Sequence, residues 1–240
     1  MQSNKKVPLL IRASEIIKED GIVGFIDAIK RYFFWNPVER EVWYYLNRYL
    51  RPSTIVIKKV MGSKMMLDLK DKGLCKDLFL FGCREPECTK IFKEELKENM
   101  QVVDIGANRG YYTLIEARAA GRNSKIYAIE PEPVNFEFLK KNINLNSYND
   151  RVELYNLAIG DKTGEAAFEI TKKSNLHKIA GDKQSKSDSH IKVKMTTLDY
   201  LLGDRHIDYV RMDVGGYEWN ILKGMKNIIK RSDNLKIFIE

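Results

Sequence analysis

Residues 102 to 112 read Val102-Val103-Asp104-Ile105-Gly106-Ala107-Asn108-Arg109-Gly110-Tyr111-Tyr112, and this stretch decides the fold. Three β-branched residues in four make a short strand suited to burial, two glycines mark a tight turn, and the spacing beyond them predicts a helix over 112–120 closed by Gly121. A buried strand that passes through glycine directly into a helix opens a βα unit. The pattern then recurs. Strands are expected over 125–129, 152–156, 207–212 and 235–239, with helices over 133–145, where Phe136, Leu139 and Ile143 share one face, and over 218–229. Strands alternating with helices of this length predict an α/β fold, a parallel sheet covered by helices on both faces.

Between the third and fourth of these strands, 165–170 and 191–195 read as an antiparallel pair. The connection 171–190 is polar and carries His177 and His190, which predicts a mobile loop. Thr196 and Thr197 supply a cap for a short helix before the fourth strand. Upstream of the quoted stretch, 88–100 reads as a helix, and 54–59 with 64–69 straddle Met61-Gly62-Ser63 as a hairpin. Two short helices are expected over 14–29. Residues 31–50 then hold eight aromatics interleaved with Arg31, Arg40 and Arg48 and broken at Pro37. This segment has two readings, a helix packing its aromatic stripe on the main domain, or a basic-aromatic surface for a membrane face or nucleic acid. The chain therefore divides into a helical and hairpin extension over 1–80 and a main domain over 81–240.

Composition narrows the class. With 240 residues, 44% of them hydrophobic and 31% charged, the chain can bury a core without disulfides or metal and is neither collagenous nor disordered throughout. No apolar run approaches the roughly 18–20 residues of a membrane span. The net charge is +8, and 12 basic against 6 acidic residues in 1–64 account for most of it. Cys75, Cys83 and Cys88 match no zinc spacing and read as reduced thiols, so no metal site is expected. The N-terminus lacks a convincing secretory signal, so a cytoplasmic location is expected.

The glycine turn is the candidate ligand site. Glycine allows close backbone approach, and free amides at a helix N-terminus attract an anionic group. Glu130 ends the next strand, 24 residues after Gly106, a distance that suits hydrogen bonding to a ribose diol. A dinucleotide fold prefers G-x-G-x-x-G, whereas Gly106 to Gly110 is G-x-x-x-G with Asp104 just before it. S-adenosylmethionine fits better, because it offers a carboxylate to the amides and an ammonium to the acid.

The chain resembles the FkbM-type S-adenosylmethionine-dependent methyltransferases over about 85–240. The resemblance rests on Val103 to Thr113, on Ala128-Ile129-Glu130-Pro131-Glu132-Pro133 with Lys141-Asn142, and on Leu157-Ala158-Ile159-Gly160-Asp161. It continues through Thr197-Leu198-Asp199 and Asp208-Tyr209-Val210-Arg211-Met212-Asp213-Val214. It implies a class I, Rossmann-like methyltransferase sheet and methyl transfer to a hydroxyl of a sugar, glycolipid or other small acceptor. It further implies that Asp104, Gly106, Asn108, Gly110 and Tyr111 hold the methionine end, that Glu130 holds the ribose, and that Asn156 and Ala158 lie along the adenine edge. Asp213 would face the methyl group. Two departures stand out: Gly215 replaces a Glu usual in the family, and the chain ends at Glu240, so the sheet is expected to lack its last two strands.

Displacement at a sulfonium methyl requires alignment and a group to accept the hydroxyl proton, for which Asp213 and Glu218 are the candidates. For Glu218 the plainer reading is a residue that favours its helix N-terminus. His177, His190 and His206 are placed less well for the task. Two alternatives stay open, a nucleic-acid methyltransferase and a non-catalytic cofactor-binding or scaffold domain.

Overall fold

The computed structural model describes residues 37–171, 178–179 and 190–240. The helices expected over 14–29 and most of the 171–190 loop lie outside them. The described chain forms two compact units: one takes in residues up to Lys70 together with Cys75–Arg84, the other Asp71–Leu74 with Glu85–Glu240.

The first unit holds α1 (Pro37–Leu50), the hairpin β1 (Ile55–Val60) and β2 (Ser63–Asp68), and most of α2 (Leu74–Phe81). Pro37 opens α1 rather than breaking it, because a proline at the first helical position forfeits no hydrogen bond. The hairpin turns on Met61 and Gly62, both at positive φ, the geometry that matches strand twist. The aromatic stripe of 31–50 divides within the described residues: Tyr44 is fully buried, whereas Tyr45 and Tyr49 are exposed.

The second unit is built on a five-stranded parallel sheet in the order β11-β10-β3-β4-β5. Its strands are β3 (Gln101–Ile105), β4 (Lys125–Ile129), β5 (Val152–Tyr155), β10 (Tyr209–Met212) and β11 (Lys236–Ile239). The helices α3 (Pro86–Glu95), α4 (Tyr111–Ala119) and α5 (Pro133–Leu145) precede or link the first three. The helix expected over 88–100 starts earlier, at Pro86, and stops at Glu95. A second sheet, of four strands, orders β6 (Ala158–Ile159), β9 (His190–Thr196), β7 (Gly164–Glu169) and β8 (Lys178–Ile179). Its β7 and β9 form the expected antiparallel pair, with Glu165 opposite Lys194.

Strand alternation sorts the sheet's two faces. Val103 and Ile105 of β3 and Val210 and Met212 of β10 enter one apolar cluster with Leu198, Leu202, Ile221, Met225 and Ile228. Those five come from α6 (Leu198–Leu202), α7 (Glu218–Lys223), the junction after it, and α8 (Lys226–Arg231). On the opposite face, Phe92 of α3 makes edge contacts with Tyr112, Tyr209 and Phe238.

The single helix expected over 218–229 is two. It parts at Gly224 and Met225, and only glycine fits the first of these, because a Cβ there would collide with the Gly160 carbonyl. Asp199 then caps the new helix start, its two carboxylate oxygens accepting from the amides of Asn227 and Ile228. The fourth strand begins at Tyr209 rather than 207, since the Ile207 amide donates to Ser232 Oγ instead of joining the ladder.

Candidate active site

The strand order reverses between β3 and β10, since the chain proceeds from β3 through β4 to β5 on one side and returns to β10 and β11 on the other. Ligands of open parallel sheets bind at the carboxyl ends of strands flanking such a reversal. Four of the sequence-derived residues, Gly106, Glu130, Asn156 and Asp213, stand just past the carboxyl ends of β3, β4, β5 and β10.

Gly106 has φ +84°, and a Cβ on it would run into the Asp213 carbonyl. The two loops that end β3 and β10 therefore touch, and only glycine permits it. Gly110 has φ +91°, and a Cβ there would lie 2.8 Å from Leu139 Cδ1 of α5. Between them the turn is internally tied. The amides of Gly106 and Ala107 both donate to the Ile129 carbonyl (2.9 and 3.0 Å), and that of Asn108 donates to Glu130 Oε2 (2.8 Å). Those of Arg109 and Gly110 donate to Asn108 Oδ1 and to the Ala107 carbonyl. The amides of 106–110 are thus engaged within the turn, so what the glycines themselves offer a ligand is close approach. Arg109 is buried, its Nε donating to Asn135 Oδ1 and its guanidinium 4.3 Å from the Phe138 ring centroid, while the Tyr111 hydroxyl pairs with Thr89 Oγ1.

Glu130 is buried, and each of its oxygens meets a backbone amide, Oε2 that of Asn108 and Oε1 that of Glu132 (2.9 Å). Burial pushes its carboxyl up to about 8 despite those two bonds. Asn156 is exposed, and its Nδ2 donates to the carbonyls of Glu130 and Pro131, bridging the ends of β5 and β4. Ala158 is buried in the core of the second sheet, beside Met195.

Asp104 is fully buried on the α4 face. Its Oδ2 accepts from Thr113 Oγ1 (2.6 Å), and its Oδ1 lies 3.1 Å from Arg211 Nη1. The same guanidinium reaches Glu240 (2.9 Å) and Asp213 Oδ2 (3.4 Å) with Nη2 and lies over the Tyr112 ring. Burial opposes its charge, but Asp104, Asp213 and Glu240 outweigh that and hold its pKa above the usual range. Sequence patterning missed Arg211 as an organising residue; the one available signal was a cation between apolar neighbours in a buried strand. Glu116 of α4 is fully buried nearby, and among the described residues neither of its oxygens has a hydrogen-bond partner. Burial first, then the Asp104 carboxylate, drive its pKa well upward.

The Asp213 side chain is one-third exposed. Glu218, by contrast, folds back on its own loop, where Oε1 accepts from the amides of Gly216 (3.1 Å) and Val214 (3.4 Å). Gly215 lies between these amides at φ +67°. His190 and His206 are exposed, and His206 pairs with Asp208; His177 lies outside the described residues. Among the described residues no group of three or more potential ligands is positioned to hold a metal, and the three cysteines are free thiols.

An open parallel sheet with its order reversal at a glycine turn, and an acid ending the neighbouring strand, defines a class I fold for a nucleoside-containing cofactor. The chain belongs to the FkbM methyltransferase family, whose methyltransferase domain matches residues 104–240 and is S-adenosylmethionine-dependent. The hexuronic acid methyltransferase AglP of Haloferax volcanii is 24% identical over 155 residues, 61% of this chain and 58% of that protein. The tRNA(Phe) (4-demethylwyosine(37)-C(7)) aminocarboxypropyltransferase of Pyrococcus horikoshii is 39% identical over 69 residues, 29% of this chain and 24% of that one. Among solved structures, TYW2 of M. jannaschii in complex with AdoMet superposes with a TM-score of 0.35 at 29% identity, over 44% of each chain. The chain thus spans less than two thirds of the length of either curated relative.

The residues present fit S-adenosylmethionine. Glu130 and Asn156 end adjacent strands with polar groups suited to a ribose and an adenine edge, and Asn108 is part-exposed on the glycine turn.

Proposed function

We propose that this protein transfers a methyl group from S-adenosylmethionine to a hydroxyl of a sugar or another small acceptor, with Asp213 taking the hydroxyl proton. The observation that carries this reading is the place of Asp213. It is a part-exposed carboxylate at the order reversal of the sheet, with its backbone packed against Gly106 of the cofactor turn.

When bound, S-adenosylmethionine supplies an electrophilic methyl on sulfur. The chain's own groups then have two tasks, to hold the reactants in line and to receive a proton. Glu130 orients the ribose, Asn108, Gly106, Gly110 and Tyr111 shape the seat of the methionine end, and Asn156 with the chain up to Ala158 borders the adenine. Asp104 acts from beneath, through Arg211, as a support for Asp213 rather than by touching the cofactor. Glu218 positions the Val214–Gly216 loop through its amide contacts. The similarity to a hexuronic acid methyltransferase supports a carbohydrate acceptor. Cys75, Cys83 and Cys88 form no disulfide, which suits a reducing compartment and supports a cytoplasmic location.

The test is transfer of labelled methyl from S-adenosylmethionine to a panel of uronic acids, neutral sugars and tRNA. The expected product is a base-stable ether on a sugar. A base-labile ester would move the acceptor to a carboxylate, and label in tRNA would establish the nucleic-acid reading instead. Cofactor binding by calorimetry with no transfer to any acceptor would leave the scaffold reading standing.

A further inference from the structure

Helix α1 turns its hydrogen-bonding residues inward and its aliphatic ones outward. The inward side carries Tyr44 and Asn47, 0% and 5% exposed. Tyr44 donates its hydroxyl to the Leu69 carbonyl (2.6 Å), Arg48 donates to that carbonyl and to the Tyr44 oxygen, and the Arg40 guanidinium lies 5.7 Å from the Phe81 ring centroid. The outward side carries Val42, Leu46 and Leu50, 51%, 45% and 75% exposed, in a row at i, i+4 and i+8, with Trp43 and Glu39 of the same helix also exposed. Beside this row Tyr45 and Tyr49 are stacked with ring planes 9° apart and are likewise exposed. A helix on a soluble protein ordinarily does the reverse, burying its apolar stripe. An aliphatic row left in water points to a partner.

We propose that the outward face of α1 docks on an anionic lipid bilayer, with the helix lying in the plane of the interface. Three features favour this occupant. The centre of the row is aliphatic, which suits acyl chains, while the flanking tyrosines have the apolar body and polar tip that settle at headgroup depth. Arg51 is exposed directly after Leu50, so a cationic group adjoins the apolar row, and Lys59 and Lys64, register partners across the hairpin, are exposed elsewhere in the same unit. Residues 1–64 also carry 12 basic against 6 acidic residues, a balance that attracts anionic headgroups. No helix among the described residues is long and apolar enough to cross a membrane, so the contact is one of lying on the surface.

The other occupants fit less well. A nucleic acid needs cations and ring faces at the centre of the contact, but Arg48 bonds the Leu69 carbonyl, Arg40 lies against Phe81, and the centre is Val42, Leu46 and Leu50. A second copy needs roughly 20–30 residues a side, and this helix offers six exposed apolar side chains, Trp43 included. The proposal stands on the first unit alone and does not depend on the methyl-transfer reading.

The experiment is sedimentation of the full chain with phosphatidylcholine–phosphatidylglycerol vesicles and with pure phosphatidylcholine vesicles. Binding is expected to the anionic vesicles only, to weaken as salt is raised, and to fall about tenfold or more in the Leu46→Asp, Leu50→Asp double variant. Both positions are exposed, so the far-UV circular dichroism and the heat of S-adenosylmethionine binding should not change; Tyr49→Ser is the second variant, expected to weaken binding less. Absence of binding to either vesicle overturns the proposal. In that case a dimer that the double variant dissolves would assign the face to a second copy. Binding to an RNA oligomer that the double variant abolishes, without vesicle binding, would also overturn it.

Discussion

Arg211 and Asp104 face each other across β10 and β3 at 3.1 Å, with side-chain exposures of 3% and 0%. Two charges held this far from water attract strongly, and removing one leaves the other buried without compensation. Arg211→Met is therefore expected to lower the unfolding free energy by about 3–5 kcal/mol. Adding Asp104→Asn should cost less than the sum of the two single changes, because both act through one pair. Urea denaturation of the four proteins measures this, and strict additivity would show that the pair is not coupled.

Gly106 and Gly110 should differ in tolerance. Both need positive φ, at a cost of about 1–3 kcal/mol for any other residue. A Cβ on Gly106 meets the Asp213 backbone, which cannot yield, whereas one on Gly110 meets the end of the Leu139 side chain, which can rotate. Gly106→Ala should therefore lower the Tm further than Gly110→Ala and should abolish S-adenosylmethionine binding in calorimetry. Equal losses would argue against contact between the two loops.

Glu116 has a signature in pH. Its folded pKa lies well above the unfolded value, because burial and Asp104 disfavour the charged form. Its proton-linked stability is therefore full below about pH 4.5 and is lost as pH rises toward the folded pKa. Glu116→Gln removes the ionisable group without taking a hydrogen-bond partner from any described residue. It should raise stability at pH 8 while changing little at pH 4, as read by thermal melts at both values.

Glu130 adds a second pH effect and a binding effect. Its carboxyl, pushed up to about 8, also contributes stability that is lost between about pH 4.5 and pH 8. If it holds the ribose as proposed, Glu130→Gln should weaken S-adenosylmethionine binding above pH 8, where the carboxyl is charged, by about 10- to 100-fold, the worth of a hydrogen bond to a charged group. Unchanged affinity would remove it from the cofactor site.

Asp213 and Glu218 should separate in kinetics. With Asp213 as proton acceptor, Asp213→Asn should lower kcat by about 10²–10⁴ and leave cofactor affinity nearly intact. Glu218→Gln keeps an acceptor for the Gly216 and Val214 amides and should have a smaller effect on both. The reverse order of kcat losses would exchange their roles.

Much of this protein is written in local pattern. The strand Lys125–Ile129 and the helix Pro133–Leu145 are legible to the residue, because alternation, a proline at the helix start and a 3.6-residue apolar stripe are properties of adjacent residues. So are the glycine turn after β3 and Glu130 at the end of β4, since a βα unit ties motif spacing to geometry. The family follows from the same blocks of residues.

What only the tertiary structure decided involves partners distant in the chain. Arg211 and Asp104 are 107 residues apart, and no periodicity says that their strands are neighbours. That pairing makes Asp104 half of a buried ion pair, a partnership that no reading of adjacent residues gives. Gly224 reads as an ordinary helix residue until the Gly160 carbonyl, brought in by another element, leaves no room for a Cβ there. The outward row of α1 was hidden for the same reason. The sequence shows an aromatic and aliphatic helix, and apolar residues are taken to face the core by default. The hydrogen bonds of Tyr44 and Arg48 to Leu69 show which side of that helix turns in.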